Sequence, residues 1–230
     1  MKQAKNMKSA LTKFEKNKKY QLEDAISLVK NIKFSNFDES VDVAINLNVD
    51  PRHAEENIRI TAALPHGTGK QVSVLVIASG PKEKEAEEAG ADFVGNKDYL
   101  TKIKNGWTDV DKIVATPDMM GELGKLGKIL GPKGLMPNPK SGTVTMNIKQ
   151  AVKALKSGQV ELRVDSNGII HVSCGKSSFS IEHLKDNILT VYSALMKVRP
   201  ASVKGTYLNK ITLSTTMGPG ILIDQSLMEN

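Results

Sequence analysis

The run Gly67-Thr68-Gly69-Lys70 has the residue types that hold phosphate in nucleotide-binding loops, where glycine amides and a lysine surround the anion. Its spacing does not fit that chemistry. The nucleotide motif places its glycines further apart, puts Ser or Thr after the lysine and continues into a helix. Here Gln71 follows the lysine, and a pattern typical of a strand follows Gln71. The run is therefore predicted to be a hinge loop. A phosphate-handling α/β enzyme that uses Lys70, or the loop over residues 121–140, is the less favoured alternative.

Residues 121–140 are a second stretch whose composition suits phosphate, with five glycines, three prolines and four lysines. Glycine permits close approach of a backbone and lysine neutralises phosphate, so this loop could lie against a nucleic-acid backbone. An ordered, proline-stiffened crossover whose lysines are only solvated has the same composition. The residue types favour neither interpretation.

The groups that catalysis or metal binding would need are scattered along the chain. The four histidines have none of the spacings of a metal site: His53, His66, His171 and His183. The single cysteine, Cys174, falls on the inward side of a predicted strand, which favours a packed thiol over a nucleophile. The sequence has no nucleophile elbow and no zinc-protease helix. We therefore predict no catalytic residue, no metal site and no cofactor.

Two segments carry side chains that the core pattern does not use. Phe34 and Phe37 lie in a predicted loop, where an aromatic ring either caps the core or stacks on a base or ribose. Residues 214–220 combine three hydroxyl side chains with Met217 and two glycines. That composition suits contacts with ribose 2′-OH and phosphate, and it also suits a threonine-rich edge strand with a turn.

The positive charge of the chain is clustered. Its 230 residues include 32 Lys+Arg and 25 Asp+Glu, for a net charge of +7. Residues 1–20 hold seven lysines and one acid, and with residues 121–140 they carry +9, which leaves −2 for the rest. Clustered positive charge on an acidic remainder favours a polyanionic partner, with nucleic acid first, although a solvated lysine-rich helix face has the same pattern.

The cysteine count and the length of the apolar runs indicate the cellular compartment of the protein. One cysteine excludes an intramolecular disulfide framework and favours a reducing environment. The start of the chain has lysines but no apolar signal core, and apolar runs such as residues 72–78 are far shorter than the ~20 residues of a spanning helix. A cytoplasmic protein without a membrane anchor is predicted.

The elements that must position these residues begin with helical and then alternating patterns. Helical spacing of apolar residues predicts a helix over residues 22–32, preceded by a shorter lysine-rich helix around residues 11–14. Alternation over residues 41–49 predicts a strand with one wet face. A short helix over residues 50–57 and a strand over residues 59–64 are predicted to follow.

The middle of the chain alternates between strand and helix patterns. Residues 72–77 are nearly continuous and apolar, which is typical of a strand buried on both faces of a parallel sheet. Further strands are predicted over residues 91–94 and 112–116, and a weaker strand pattern covers residues 143–146. Helices are predicted over residues 82–89, 97–104 and 148–156, with another helix after Pro117. This alternation predicts a small doubly wound α/β domain.

Beyond residue 158 amphipathic strands return as a predicted hairpin. A three-residue loop over residues 166–168, with Gly168 left-handed, keeps the apolar side chains of both strands on one face. It pairs Val164 with Ile170, Leu162 with Val172, and Val160 with Cys174. It also places Arg163 and His171 opposite each other on the wet side, with Asp165 nearby.

The last elements complete a discontinuous architecture. An amphipathic helix over residues 181–195 and a strand over residues 210–216 are predicted. Residues 1–66 and 158–230 therefore share amphipathic strands and helices, whereas residues 67–157 have the strand-helix alternation of an α/β domain. The simplest account is a discontinuous α+β domain interrupted by an inserted Rossmann-like α/β domain, with a hinge at the two crossings.

Five motifs, which keep their order along the chain, carry a family resemblance. They are Asn36-Phe37-Asp38-Glu39-Ser40-Val41, residues 64–70 (Leu-Pro-His-Gly-Thr-Gly-Lys), residues 87–92 (Glu-Glu-Ala-Gly-Ala-Asp), residues 127–140 (Gly-Lys-Ile-Leu-Gly-Pro-Lys-Gly-Leu-Met-Pro-Asn-Pro-Lys) and residues 215–219 (Thr-Thr-Met-Gly-Pro). Together they closely resemble the bacterial large-subunit ribosomal protein of the L-one family. The resemblance spans nearly the whole chain.

The resemblance implies a non-enzymatic protein whose α+β domain is the principal RNA-binding part and whose inserted domain hinges against it. Such a protein binds large-subunit rRNA and forms the mobile side stalk beside the exit site for deacylated tRNA, with an implied role in tRNA release. It also represses translation of its own operon by binding a similar fold in the mRNA. The implied partners are large-subunit rRNA, exit-site tRNA and the operon mRNA, and the protein is expected to be a monomer off the ribosome.

Carried over residue by residue, the family's RNA-binding face falls on ten residues of this chain. They are Phe37, Ser40, Arg163, Asp165, His171, Lys176, Thr215, Thr216, Met217 and Gly218. Lys128, Lys133 and Lys140 would add secondary contacts. Many members have a lysine where this chain has Asn36, so one phosphate contact of the family is not carried over. Recognition would rest on RNA shape, 2′-OH groups and phosphates, with Phe37 and Met217 packing against sugar or base.

Overall fold

The structure, a computed structural model, describes residues 5–225, which form helices and strands in a mixed α/β arrangement. The helices are α1 (Lys5–Leu11), α2 (Leu22–Ile32), α3 (Pro81–Glu88), α4 (Lys97–Lys104), α5 (Met120–Gly124), α6 (Gly127–Leu130), α7 (Ile148–Lys156) and α8 (Ile181–Lys197). The strands are β1 (Lys19–Tyr20), β2 (Ser40–Leu47), β3 (Arg59–Ala63), β4 (Val74–Ile77), β5 (Phe93–Gly95), β6 (Lys112–Ala115), β7 (Gln159–Arg163), β8 (Ile169–Lys176), β9 (Leu208–Thr215) and β10 (Ile221–Ile223). The predicted mixture of helices and sheets is confirmed.

The described chain divides into two compact units. Unit 1 contains residues 5–69 and 160–225, and unit 2 contains residues 70–159. Each unit has its own buried apolar clusters.

Unit 1 is built on a five-stranded sheet in the order β1-β10-β9-β2-β8. The central strand β2 pairs antiparallel with β8 on one side and β9 on the other. Its inward residues are at most 3% exposed: Val41, Val43, Ile45 and Leu47. Each such side chain contributes about 1.5–3 kcal/mol when removed from water. Helices α2 and α8 pack together and contact strands of this sheet, so unit 1 has one covered sheet face.

Helix α8 shows how local sequence sets one of these covering helices. The Ser180 side chain accepts a hydrogen bond from the His183 backbone N–H (3.2 Å), which caps the first turn. Buried apolar residues recur along one helix face: Leu184, Ile188, Val191, Tyr192 and Leu195. The helix ends before Pro200, as predicted.

The hairpin around residue 168 corrects the predicted pairing of β7 with β8. The bridge between Val164 and Ile170 forms, and Gly168 has the predicted left-handed backbone, with φ of 77°. Beyond that bridge the strands separate, because β7 pairs with β3 in a two-stranded sheet while β8 pairs with β2. The two further predicted pairs, Leu162 with Val172 and Val160 with Cys174, were wrong. Alternation determines which side chains face inward, but it does not determine which distant strand supplies the partner.

Three smaller predictions also differ from the structure, and two short strands were not predicted. Residues 50–57 form turns and no helix, because the Asp50 carboxylate accepts from the Arg52 N–H (3.0 Å) and the Glu56 carboxylate accepts from the Asp50 N–H (2.7 Å). The predicted strand over residues 143–146 is a single bridge between Ala115 and Val144. Helix α1 ends before Phe14, and the short strands β1 and β10 were not predicted.

Unit 2 contains a parallel three-stranded sheet in the order β5-β4-β6, and all four residues of β4 are buried. Val74 and Val76 belong to a cluster with residues of α3 and α7. Leu75 and Ile77 belong to a second cluster with α4 and residues 119–135. Successive side chains of β4 thus enter two different cores, which explains its continuous apolar sequence.

Candidate nucleic-acid interface

Three segments of unit 1 meet at one end of its sheet: residues 35–40, 176–178 and 215–218. We call them the sheet-end surface. Ser40 is the register partner of Lys176, and the next β2 residue, Val41, pairs with Thr215. The Ser40 N–H donates to Thr216 Oγ1 (3.1 Å), and the Thr216 N–H donates to the Ser40 carbonyl (3.1 Å). Lys176 Nζ donates to Ser40 Oγ (3.0 Å). The sheet register therefore joins parts of the chain that are far apart in sequence.

Two large apolar side chains are exposed on the sheet-end surface. Phe37 is 52% exposed and Met217 is 50% exposed. Phe34, three residues before Phe37, instead packs against the core of unit 1. The two roles considered for loop aromatics are therefore divided between them: Phe34 caps the core, whereas the core does not use Phe37.

Asp38 ties the Phe37 loop to the end of β8. Its carboxylate accepts from the Ser177 hydroxyl (2.8 Å), the Ser178 hydroxyl (2.7 Å) and the Ser178 N–H (3.1 Å). The Ser178 hydroxyl is the main cause that holds the pKa of Asp38 below its ordinary value of 3.8. Lys33 Nζ donates to the Ser177 hydroxyl (3.1 Å), so a cation lies beside this contact.

Glu39 lies beneath the same surface and is fully buried. Its carboxylate accepts from the Ser35 hydroxyl, from the Thr215 hydroxyl and from the Met217 N–H (3.1 Å). Burial raises the pKa of Glu39, but these hydrogen bonds together outweigh burial, so its pKa lies below the ordinary 4.5. Sequence reasoning missed Glu39, because an acid in a polar loop has the same pattern as a solvated one.

The turn over residues 215–218 divides the predicted contact residues into two kinds. Thr216 and Met217 are exposed. Thr215 is only 4% exposed, and its hydroxyl bonds to Glu39 inside the surface. A Cβ atom on Gly218 would collide with Thr215 Oγ1, so a larger residue here would force the Thr215 side chain to shift. Thr215 and Gly218 thus shape the turn that presents the other two residues.

The hairpin residues Arg163, Asp165 and His171 lie toward the other end of β8. Arg163 and His171 are exposed. The Asp165 carboxylate accepts from the Asn167 and Ile169 N–H groups, both at 2.8 Å, and lies 3.8 Å from His171 Nε2. The bond from the Ile169 N–H is the largest of the effects that lower the pKa of Asp165. His171 pairs with Ala44, four β2 residues from Ser40, or about 13 Å along the strand.

A polar sheet face connects these two groups of residues. Partners in adjacent strands share a face, and the β2 residues on the outward face are Ser40, Asp42, Ala44 and Asn46. Their partners in β8 and β9 are all polar except Ile169: Lys176, Ser173, His171, Ile169, Ser214, Thr212 and Lys210. A register shift between Val41 and Asp42 makes Cys174 an extra residue in β8, and this bulge brings Lys176 onto the same face as His171.

The lysines predicted to make secondary contacts belong to unit 2. Lys128, Lys133 and Lys140 are exposed, and Lys133 Nζ donates to the Thr108 hydroxyl. Four leucines of the same segment are buried: Leu123, Leu126, Leu130 and Leu135. Residues 121–140 are thus an ordered crossover that carries exposed lysines.

Residues 67–70 do not have the geometry of a phosphate-binding loop. Strand β4 follows Lys70, and Lys70 Nζ forms an ion pair with Asp111. Cys174 is a buried free thiol, as predicted, and burial raises its pKa to about 12. Within residues 5–225, no three His, Cys, Asp or Glu side chains are grouped so as to hold a metal ion. None of the helices described in this range has the length and apolar character needed to cross a membrane.

Comparison with protein families gives a match to the ribosomal protein L1p/L10e family over residues 28–219. The matched range is more than four-fifths of the chain, and it includes the whole sheet-end surface and the hairpin residues. Proteins of this family are structural components of the ribosome and not enzymes, and membership implies binding of large-subunit rRNA. The chain belongs to the ribosomal protein L1p/L10e family.

Proposed function

We propose that this protein is the bacterial form of its family and binds a structured site of large-subunit rRNA through unit 1. The sheet-end surface is the centre of the contact. The polar sheet face extends it toward Arg163, Asp165 and His171. Unit 2 adds secondary contacts through Lys128, Lys133 and Lys140.

One observation carries this proposal. Phe37 and Met217 are the exposed apolar side chains of two segments nearly 180 residues apart, and hydrogen bonds hold those segments side by side. Both belong to motifs that carry the family resemblance. Exposed apolar groups on a hydrogen-bonded frame suit packing against sugars and bases.

The chemistry of the surface favours RNA over DNA. Ser40 and Thr216 supply hydroxyls, which can donate to and accept from ribose 2′-OH groups. Lys176 and Arg163 supply cations for phosphate, while Asp38, Asp42 and Asp165 keep the surface near neutral. Affinity should therefore depend on shape and packing more than on charge alone.

The proposed assembly role follows from this binding. On the large subunit, in the cytoplasm, the bound protein forms the mobile side stalk beside the exit site and assists release of deacylated tRNA. The same surface binds a similar RNA fold in the mRNA of its own operon and represses its translation. Off the ribosome the protein is a monomer, and unit 2 hinges against unit 1.

A binding comparison tests the proposal. The affinity of the full chain for a large-subunit stalk rRNA fragment is measured against an unrelated hairpin of equal length at the same salt concentration. Specific recognition should give at least a 1,000-fold preference, within the range of specific nucleic-acid complexes (~10³–10⁷). An operon mRNA fragment with the similar fold should compete with the rRNA fragment. Equal affinities for the stalk fragment and the hairpin would overturn the proposal.

A further inference from the structure

Glu39 is bonded to all three segments of the sheet-end surface. Within its own segment, its carboxylate accepts from the Ser35 hydroxyl. Across the sheet, the carboxylate accepts from the Met217 N–H at 3.1 Å. Its backbone carbonyl accepts from the Ser177 N–H at 2.8 Å. One residue therefore connects the Phe37 loop, the Met217 turn and the end of β8.

The carboxylate of Glu39 is surrounded by neutral donors. Its side chain is 0% exposed, and the partners that contact it are two hydroxyls and two backbone amides, from Ser35, Thr215 and Met217. Each of these groups donates toward the oxygens, so the site is arranged for an acceptor without protons. An amide or a protonated acid would direct hydrogen atoms at some of these donors.

Asp38 provides an informative contrast with its neighbour. Its side chain is exposed at the surface and bonds only to the end of β8, through Ser177 and Ser178. Glu39 points inward and bonds across to the turn that carries Met217. Glu39 thus bonds the Phe37 loop directly to the Met217 turn, whereas Asp38 bonds that loop to the end of β8.

We propose that Glu39 is a positioning residue for RNA binding, which holds the Phe37 loop against the Met217 turn without contacting RNA. The inference rests on the proposed function. When the loops of a surface are already ordered, no binding free energy is spent on ordering them as RNA binds. The Thr215 hydroxyl acts through Glu39 in the same way, because it is buried beneath the surface.

Two substitutions and one matched control test this role. Glu39→Gln keeps the side-chain shape but replaces one acceptor oxygen by a donor. Thr215→Val keeps the shape but removes the hydroxyl. Ile188→Val, at a position that is 2% exposed in α8, lowers stability by a core change outside the surface. Melting temperatures are measured first, so that RNA affinities are compared well below unfolding for all variants.

The RNA measurement uses the stalk rRNA fragment and the unrelated hairpin. Glu39→Gln should weaken binding to the stalk fragment about tenfold and Thr215→Val by a smaller factor, because a charged acceptor contributes more than one hydroxyl. Both variants should bind the hairpin as the wild type does. Ile188→Val should keep the wild-type affinity for both RNAs despite a lower melting temperature.

Two further readouts separate positioning from general stability. Backbone amide exchange at Met217 should accelerate in Glu39→Gln, whereas the Thr216 amide, which donates to the Ser40 carbonyl, should stay protected. In a double-mutant cycle, Glu39→Gln should weaken binding less in a Met217→Ala background than in the wild type, because both changes affect one contact.

The outcomes distinguish this inference from the proposed function. If the wild type prefers the stalk fragment and both variants match it, Glu39 has no positioning role while the proposed function stands. Additive effects of Glu39→Gln and Met217→Ala would also overturn the inference. If the wild type does not discriminate between the two RNAs, the proposed function fails. If Glu39→Gln does not fold, Thr215→Val decides the question.

Discussion

At the scale of single residues, the candidate interface depends on side chains that the fold itself does not need. Phe37 and Met217 are about half exposed, although residues of this kind are usually buried. They do not belong to the core cluster of unit 1, so we expect their value to lie in contacts with a partner. This makes them the residues where binding and stability are most easily separated.

Replacing Phe37 or Met217 by alanine should therefore weaken RNA binding and leave folding nearly unchanged. Each loss of packing against a base or sugar should cost about 1–3 kcal/mol of binding free energy. The melting temperature should change little, because the removed atoms are largely exposed. Lys13→Ala, in the lysine-rich start of the chain, is the control and should cost less affinity than either change. A larger loss for Lys13→Ala would mean that the proposed surface is wrong.

Asp165 gives a residue-scale prediction for pH. Its ionised carboxylate accepts two backbone N–H groups, which lowers its pKa below the ordinary 3.8. A lowered pKa in the folded state stabilises the protein above the ordinary value, and this stability is lost as the pH falls through the native pKa.

Asp165→Ala should therefore cost about 1 kcal/mol near pH 7, a modest figure because the side chain is 37% exposed. The difference in unfolding free energy between Asp165→Ala and the wild type should become smaller below about pH 3.8. Denaturant unfolding at pH 7 and at pH 3 measures both values. A difference that does not change with pH would mean that the charge of Asp165 has no stabilising role.

At the scale of elements, the turn before β8 sets where the hairpin residues lie. Gly168 has φ of 77°, and a Cβ atom there would lie 3.1 Å from the Val49 carbonyl oxygen and 3.2 Å from that of Leu47. Its own carbonyl accepts from the Leu47 N–H at 2.8 Å. The turn is thus packed against the end of β2, and it presents Asp165 and His171 from that position.

Gly168→Ala should destabilise unit 1 more than Gly205→Ala does. Both glycines have nearly the same φ, 77° and 78°, so both substitutions carry the same backbone cost of about 1–2 kcal/mol. Only Gly168 meets backbone atoms, since nothing lies within 4 Å of a Cβ at Gly205. We expect an additional loss of about 1–3 kcal/mol for Gly168→Ala, measured by denaturant unfolding. Equal losses would mean that the turn does not pack as described.

Elements with strong local patterns could be predicted from the sequence. Helices α4 and α7 begin and end at the predicted residues, because their apolar spacing and helix-forming composition are local properties. Strands β1 and β10 could not be predicted, since they have two and three residues and form by pairing, β1 with β10 and β10 also with β9. The partners of β7 and β8 were missed for the same reason: pairing is a long-range property.

The interface could be predicted only in part. The exposed state of Phe37 and Met217 agrees with their place in the family motifs. Residue types alone could not distinguish Phe34 from Phe37, because the difference lies in how the loop packs. Glu39 and Thr215 both stand in the family motifs, but their buried roles could not be predicted, since those roles arise from donors and acceptors that the fold brings together.

At the scale of the whole molecule, most of the positive charge and the sheet-end surface belong to different segments of the chain. The clustered lysines lie in residues 1–20 and 121–140, whereas the sheet-end surface mixes Lys176 with Asp38 and the buried Glu39. Lysine charge that makes no sequence-specific contact attracts any polyanion. We therefore expect general RNA attraction and specific recognition to be separable by mutation.

Replacing Lys128, Lys133 and Lys140 together by alanine should weaken binding to stalk RNA and to an unrelated hairpin by similar factors. The slope of log affinity against log salt concentration is negative, and each lost phosphate contact should reduce its magnitude by about 0.7–0.9. The ratio of the two affinities should stay constant, whereas Met217→Ala should reduce it. A loss confined to the stalk RNA would assign specific recognition to unit 2.

The most direct test is a map of backbone amide chemical shifts in the full chain with and without the stalk rRNA fragment. The account predicts that the largest changes fall on residues 35–40, 163–176 and 215–218, with smaller ones at the lysines of residues 121–140. Largest changes within residues 1–20 or 121–140, with the sheet-end surface unchanged, would contradict it.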